Sequence, residues 1–123
     1  MPVLFLVYGQ YVFYIDSINA ELNRFNLSDF DIVYSYNGGT ADGNNSNPNM
    51  IVLASKEVLE FTISENVIYF STFERKIFRM DIDGKNREFI VDGMSPAVLG
   101  NYLFYLDKNG EMACLPIDFY EGE

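Results

Sequence analysis

One pattern occurs three times in this chain, and it limits the possible fold more than any other feature. Gly9 to Leu27 (GQYVFYIDSINAELNRFNL), Glu65 to Ile82 (ENVIYFSTFERKIFRMDI) and Gly100 to Ile117 (GNYLFYLDKNGEMACLPI) align throughout once one extra residue is allowed in the first connection. Tyr11, Val67 and Tyr102 open one strand, and Tyr14, Phe70 and Tyr105 share a place within it. Leu22, Ile77 and Met112 open the next strand, followed by Phe25, Met80 and Leu115, then by Leu27, Ile82 and Ile117. Self-similarity of this kind decides the architecture before any local reading does.

The second copy is the clearest. Val67 to Ser71 reads as a strand, Phe73 to Arg75 as a turn, and Lys76 to Ile82 as the next strand. Asp83-Gly84-Lys85-Asn86 then turns the chain into a third strand, Arg87 to Val91. Asp-Gly between apolar runs is a strong hairpin signal, because glycine accepts the positive φ that tight turns need. Apolar lead-ins precede the copies at Val3 to Tyr8, Val58 to Ile63 and Ala97 to Leu99, and trailing strands follow at Asp31 to Tyr36 and Arg87 to Val91. The unit is therefore a four-stranded antiparallel sheet. The third copy stops after three strands, since Asp118 to Glu123 is short and acidic. The repeats run over about 3–36, 58–93 and 97–118 of a single domain, 1–123, with an insertion at 37–57. That insertion holds NGGTADGNNSNPN, a loop by composition, and Met50 to Ala54, an additional strand.

The strands from Val67 and from Tyr102 are apolar on both faces, so both faces need cover, as when sheets stack face to face. Phe78, Met80 and Ile82 form one apolar row, while Arg79 and Asp81 point the other way. The predicted core is Phe70, Tyr105, Phe78, Met80, Leu115 and Ile82. No apolar run shows a sustained helical period, so the chain is expected to be all-β.

These repeats resemble the blades of β-propeller proteins of the YWTD type, the low-density-lipoprotein-receptor-related-protein-like group. The residues that carry the resemblance are Ile77-Phe78-Arg79-Met80-Asp81-Ile82-Asp83-Gly84-Lys85-Asn86, more loosely Leu22 to Leu27, and the first three strands of the last copy. The tetrapeptide itself is absent; Phe13 to Asp16, Ile68 to Ser71 and Phe104 to Asp107 stand near its place. The resemblance implies a partial propeller of about three blade-like sheets and a protein-binding or scaffold role. It carries over no catalytic residue. Propellers close with four or more blades. The chain is therefore part of a longer propeller, or associates with copies of itself, or forms an open stack.

Composition narrows the partners. Eighteen acidic residues stand against eight basic ones, a net charge of −10. Such a surface repels phosphate backbones, so nucleic acid is excluded as a partner. No stretch has the length of a membrane helix. The first residues are apolar without a charged leader or cleavage site, strand-like residues begin at Val3, and this fits a mature or excised segment. The compartment is not encoded.

The candidate chemistry is sparse. There is no histidine, which removes the commonest general base and metal ligand. Cys114, the one cysteine, lies between Ala113 and Leu115 and reads as a buried structural thiol. Asp81 to Asn86 and Asp107 to Glu111 have some oxygen ligands of a calcium loop, but Lys85 holds a ligand position in the first and the second lacks a distal carboxylate; both read as turns. Asp16 and Asp107 occupy equivalent strand ends and form the one carboxylate pair to weigh for glycoside hydrolysis; turn formation explains both. Arg24 and Arg79 are equivalent and either bind an anionic group or pair with Asp or Glu between sheets. Asn26-Leu27-Ser28 and Asn44-Asn45-Ser46 match the glycosylation pattern. No catalytic, cofactor or metal residue is assigned, no cofactor is expected, and the binding residues are unknown.

The resulting expectation is a non-catalytic binding or scaffold module for protein–protein interaction, not an enzyme. The alternatives are a fragment of a carbohydrate-active propeller, or a small acidic inhibitor that occupies a basic site. Pro116 cannot donate a ladder hydrogen bond, which marks its strand as an edge. Open edges and uncovered faces lead to an expected homodimer, whose two sets of three sheets would make six.

Overall fold

The computed structural model describes residues 5–16, 18–29, 50–55 and 57–117. These form three antiparallel sheets, and among them there is no α-helix, only one 3-10 turn, Leu27–Asp29. Sheet one has the order β1 (Phe5–Tyr8), β2 (Tyr11–Asp16), β3 (Glu21–Asn26), β4 (Ile51–Ala54). Sheet two follows as β5 (Val58–Ser64), β6 (Val67–Thr72), β7 (Lys76–Asp81), β8 (Glu88–Asp92). Sheet three has β9 (Met94–Leu99), β10 (Tyr102–Leu106) and β11 (Met112–Pro116), with β10 in the middle.

Two elements differ from the sequence expectation. The trailing strand predicted at Asp31 to Tyr36 lies outside the described residues; the place beside β3 is held by β4, the run read as an additional strand. The lead-in predicted at Ala97 begins earlier, because Met94 already pairs with Leu106 across an irregularity in the ladder.

Strand pairing puts residues on two faces, and the repeats make those faces comparable. We call the face each sheet turns toward the next its forward face. On sheet one it carries Tyr11, Phe13, Ile15 and Leu22; on sheet two, Val67, Tyr69 and Ile77. Phe13, Ile15, Leu22, Leu53 and Ala54 pack on Val58, Phe61, Ile68, Phe70 and Met80, the rear face of sheet two, in one buried cluster. A second cluster joins Tyr69 and Ile77 of sheet two to Leu103 and Ile117 of sheet three. β6 is thus covered on both faces, as a strand apolar on both sides demands. β10 is not: Leu103 is buried, Phe104 is half-buried and Tyr102 is exposed.

The predicted core is therefore only partly the observed one. Phe70 and Met80 are buried, but Phe78, Ile82, Tyr105 and Leu115 are half-buried. Phe78 stacks on Phe70 at 5.5 Å, and the Arg87 guanidinium lies 5.8 Å from its ring, so this end of the cluster stays wet. Ile77, on the other face of the same strand, is fully buried instead. Cys114 is exposed, not buried. Along β11 exposure alternates, and Ala113 and Leu115 turn toward sheet two while Met112, Cys114 and Pro116 face outward. Apolar neighbours in the chain point to the opposite side of a strand, so they say nothing about the cover of the residue between them.

Gly93 links β8 to β9 with a single residue. Its N–H donates to the Arg75 carbonyl at 2.7 Å. A Cβ there would meet the Leu106 carbonyl oxygen and the Tyr105 ring at 2.7 Å, which leaves room for glycine alone.

Candidate functional site

The two boundaries between sheets differ at the same end, where the turns before β2, β6 and β10 lie. At the first, Tyr8 projects across: its hydroxyl accepts the Asn66 N–H at 2.8 Å and lies 3.4 Å from the Asn66 side-chain oxygen. Arg24 lies over the Tyr11 ring at 4.2 Å and donates to the Ile82 carbonyl of sheet two at 3.0 Å. The arginine thus joins two sheets through a backbone carbonyl, where the sequence reading had a carboxylate.

The repeat puts Ser64 in the place of Tyr8 and Val67 in the place of Tyr11 at the second boundary. The smaller side chains leave a recess of about 290 Å³, lined by Ser64, Glu65, Val67, Tyr69, Arg79, Gly100, Asn101 and Ile117. Arg79, the equivalent of Arg24, stands in its wall. The lining brings together an arginine, a glutamate, a serine and an asparagine with the apolar Val67, Tyr69 and Ile117.

Deeper in the second boundary, Ser71 replaces the apolar Ile15 of the first. Its hydroxyl lies 3.4 Å from the Glu60 carboxylate. The same carboxylate oxygen accepts the Ser95 N–H at 2.8 Å and the Ser95 hydroxyl at 3.1 Å. Ser95 holds a positive φ of 58°, a conformation that this grip offsets. Beyond it, Asp92 receives Lys108 at 3.3 Å and Lys76 at 3.4 Å. The hydrogen bond from Lys108 is the chief reason its carboxyl is held below the ordinary carboxylate range, with the charges of both lysines adding to it.

The other residues singled out in the sequence serve their own turns. Asp16 accepts the Ile18 N–H at 2.9 Å and the Asn19 amide at 3.1 Å. Asp107 accepts the N–H groups of Asn109 and Glu111 at 2.9 and 3.0 Å. Asp83 accepts the Lys85 N–H at 3.1 Å, and Asp81 accepts the Asn86 amide at 2.7 Å. Asn26 accepts the N–H and hydroxyl of Ser28, each at 3.0 Å. Asn44 to Ser46 lies outside the described residues. Among the described residues, no three acidic or cysteine side chains are grouped so as to hold a metal ion, and no helix is long and apolar enough to cross a membrane. The recess and the Glu60 grip were missed in the sequence. Their one signal was the exchange of Tyr8, Tyr11 and Ile15 for Ser64, Val67 and Ser71 at equivalent positions.

No protein-family model matches the chain, and no curated protein matches it. Solved structures do. The N-terminal domain of Nup159 superposes with a TM-score of 0.59 at 17% identity, over 98% of this chain and 33% of that one. Nup159 in a complex from S. cerevisiae with Dbp5, Gle1, IP6 and ADP gives 0.58 at 16%, with the same coverage. That domain is a β-propeller, and the likeness fixes this chain's fold as all-β and propeller-like. The chain spans about a third of the length of these neighbours.

Proposed function

We propose that this chain is a non-catalytic, propeller-type module that binds a protein partner by taking one of its side chains into the recess between sheets two and three. The observation that carries this reading is the contrast between boundaries: the repeat builds a sealed contact with Tyr8, Tyr11 and Arg24, and the same positions one sheet later leave an opening walled by Arg79. Nup159, similar in fold, is found in a complex with Dbp5 and Gle1, which supports a protein partner as the class. The turn Asp83-Gly84-Lys85-Asn86 and the strand before it keep the YWTD-type repeat as the finer family reading. No observation favours the carbohydrate-active alternative, since Asp16 and Asp107 are both engaged in their own turns.

The test is selection of peptides from a displayed random library on the immobilised chain, followed by the same peptides on Ser64→Tyr and Val67→Tyr. These substitutions copy the residues that seal the first boundary. Related peptides with one recurring side chain, weakened about tenfold or more by closure, which corresponds to about 1.4 kcal/mol, are the expected result. No related peptides, or peptides indifferent to closure, would contradict the reading.

A further inference from the structure

The end of the strands opposite the recess carries the turns that follow β2, β6 and β10. Tight turns are ordinarily polar, because Asn, Asp, Ser and Gly satisfy or permit their backbone geometry. The third turn conforms, with Lys108 and Asn109 at its tip and Asp107 accepting two of its N–H groups. The first two do not. Ile18 stands at the tip of the first and is 86% exposed, and Phe73 stands at the tip of the second and is 57% exposed. Neither turn depends on its apolar side chain. Asp16 holds the first through the Ile18 N–H and the Asn19 amide. In the second, the Arg75 N–H donates to the Thr72 carbonyl at 2.8 Å.

The backbone brings the two tips together. Ala20 and Arg75 hold equivalent places in their turns, each at a positive φ, 55° and 63°. The Ala20 carbonyl accepts the Val58 N–H at 3.0 Å, and the Phe73 N–H donates to the Glu57 carbonyl at 3.0 Å. Two consecutive residues, Glu57 and Val58, therefore tie one turn to the other. Leu59 follows them; the irregular β5–β6 ladder passes over it, and it is 41% exposed.

The charge beside these apolar tips has one dominant sign. Glu57 and Glu74 are exposed, and Asp16 and Glu21 border the first turn half-buried. Arg75 is exposed on the second turn, while the nearby Lys76 and Lys108 are both paired with Asp92. Stacking covers the faces of sheets and not their turns, so this surface does not depend on how many sheets the protein has. We infer that these two turns form a docking surface for a segment of a partner protein that sets an apolar side chain against Ile18 and Phe73 and carries lysine or arginine beside it. Exposed apolar groups rimmed by polar ones mark interaction sites. The carboxylates select the sign of the partner: a basic segment is drawn in, and an anionic lipid surface is repelled.

Selection of peptides from a displayed random library on the parent chain tests this, with each recovered peptide then measured on Ile18→Ser, on Phe73→Ser, on a double Glu57→Gln and Glu74→Gln variant, and on Val67→Tyr, which closes the recess. Ile18, Phe73, Glu57 and Glu74 are all exposed, and far-UV circular dichroism checks that each variant stays folded. The expected result is a family of peptides with an apolar residue flanked by Lys or Arg, weakened about tenfold by Ile18→Ser or Phe73→Ser. The same family should weaken on the double glutamine variant and at high salt, and keep its affinity on Val67→Tyr. The absence of any family that depends on Ile18 and Phe73 overturns the inference and leaves the recess reading standing. A dependent family without basic residues, or one indifferent to salt, overturns it too. So does binding of the parent to vesicles of anionic lipid that Phe73→Ser abolishes, which would put a membrane in place of the protein partner.

Discussion

The first and second sheet boundaries are built from the same repeat positions and come out differently. The first is a broad apolar cluster sealed at its end by Tyr8, Tyr11 and Arg24. The second has a smaller cluster around Ile77 and Leu103, a carboxylate bound by two serines, and an opening. A stacked-sheet repeat sets where a contact forms. The residues at a few forward-face positions set whether that contact is an apolar seal or a polar, more open joint. The difference should be visible in stability, and five substitutions break or sharpen it.

The largest effects belong to the apolar anchors. Phe13→Ala should destabilise by about 3–5 kcal/mol, as expected for an aromatic side chain fully enclosed in a core. Phe78→Ala should cost less, about 2 kcal/mol, because that ring is only partly enclosed. Denaturant unfolding checks both, and equal losses would place the two rings in equivalent surroundings. At the second boundary, Glu60→Ala removes an ionised acceptor from three donors and should cost about 1.5–3 kcal/mol. A loss near zero would mean that water replaces the carboxylate without penalty.

Next in size is an expected gain. Asn23 is buried to within 1%, yet its side-chain oxygen has no hydrogen-bond partner. Asn23→Leu keeps the branching and the number of heavy atoms and removes the desolvated acceptor, so a rise of about 1 kcal/mol is expected where the site takes the slightly bulkier methyl groups. A fall would mean that the amide is satisfied in solution.

The smallest effect is electrostatic. The Asp92 carboxyl, held below its ordinary range by Lys108 and Lys76, favours the folded state whenever it is ionised. Because the folded value is the depressed one, this contribution is full above the unfolded value of about 3.9 and fades as the pH falls through the folded one. Asp92→Asn should therefore lower the melting temperature slightly at neutral pH and low salt, and match the parent in acid. A difference that persists in acid would point to packing in place of charge.

Much of the fold was legible in the residues, for a physical reason. Aromatic strands at recurring places, with Asp-Gly and Asn-Gly turns between them, specify antiparallel sheets through backbone preference alone, and Phe70 and Met80 were recognised as core on that basis. What periodicity could not reveal was which sheet comes last. Cys114 and Arg24 occupy comparable forward-face places, one open to solvent and the other bridging two sheets, and only the stacking order distinguishes them. The recess is of the same kind. Ser64 against Tyr8 is plain in an alignment of the repeats, but its consequence appears only once both are known to face the next sheet.

Hydrogen exchange measured by mass spectrometry, at concentrations low enough to keep the chain monomeric, tests the contrast between boundaries most directly. Amides of β2, β3 and β6 should exchange only through global unfolding, while those of β9, β10 and β11 should exchange earlier, through a partial opening in which sheet three leaves sheet two. Uniform protection across all three sheets, or a first sheet that opens before the third, would contradict the account.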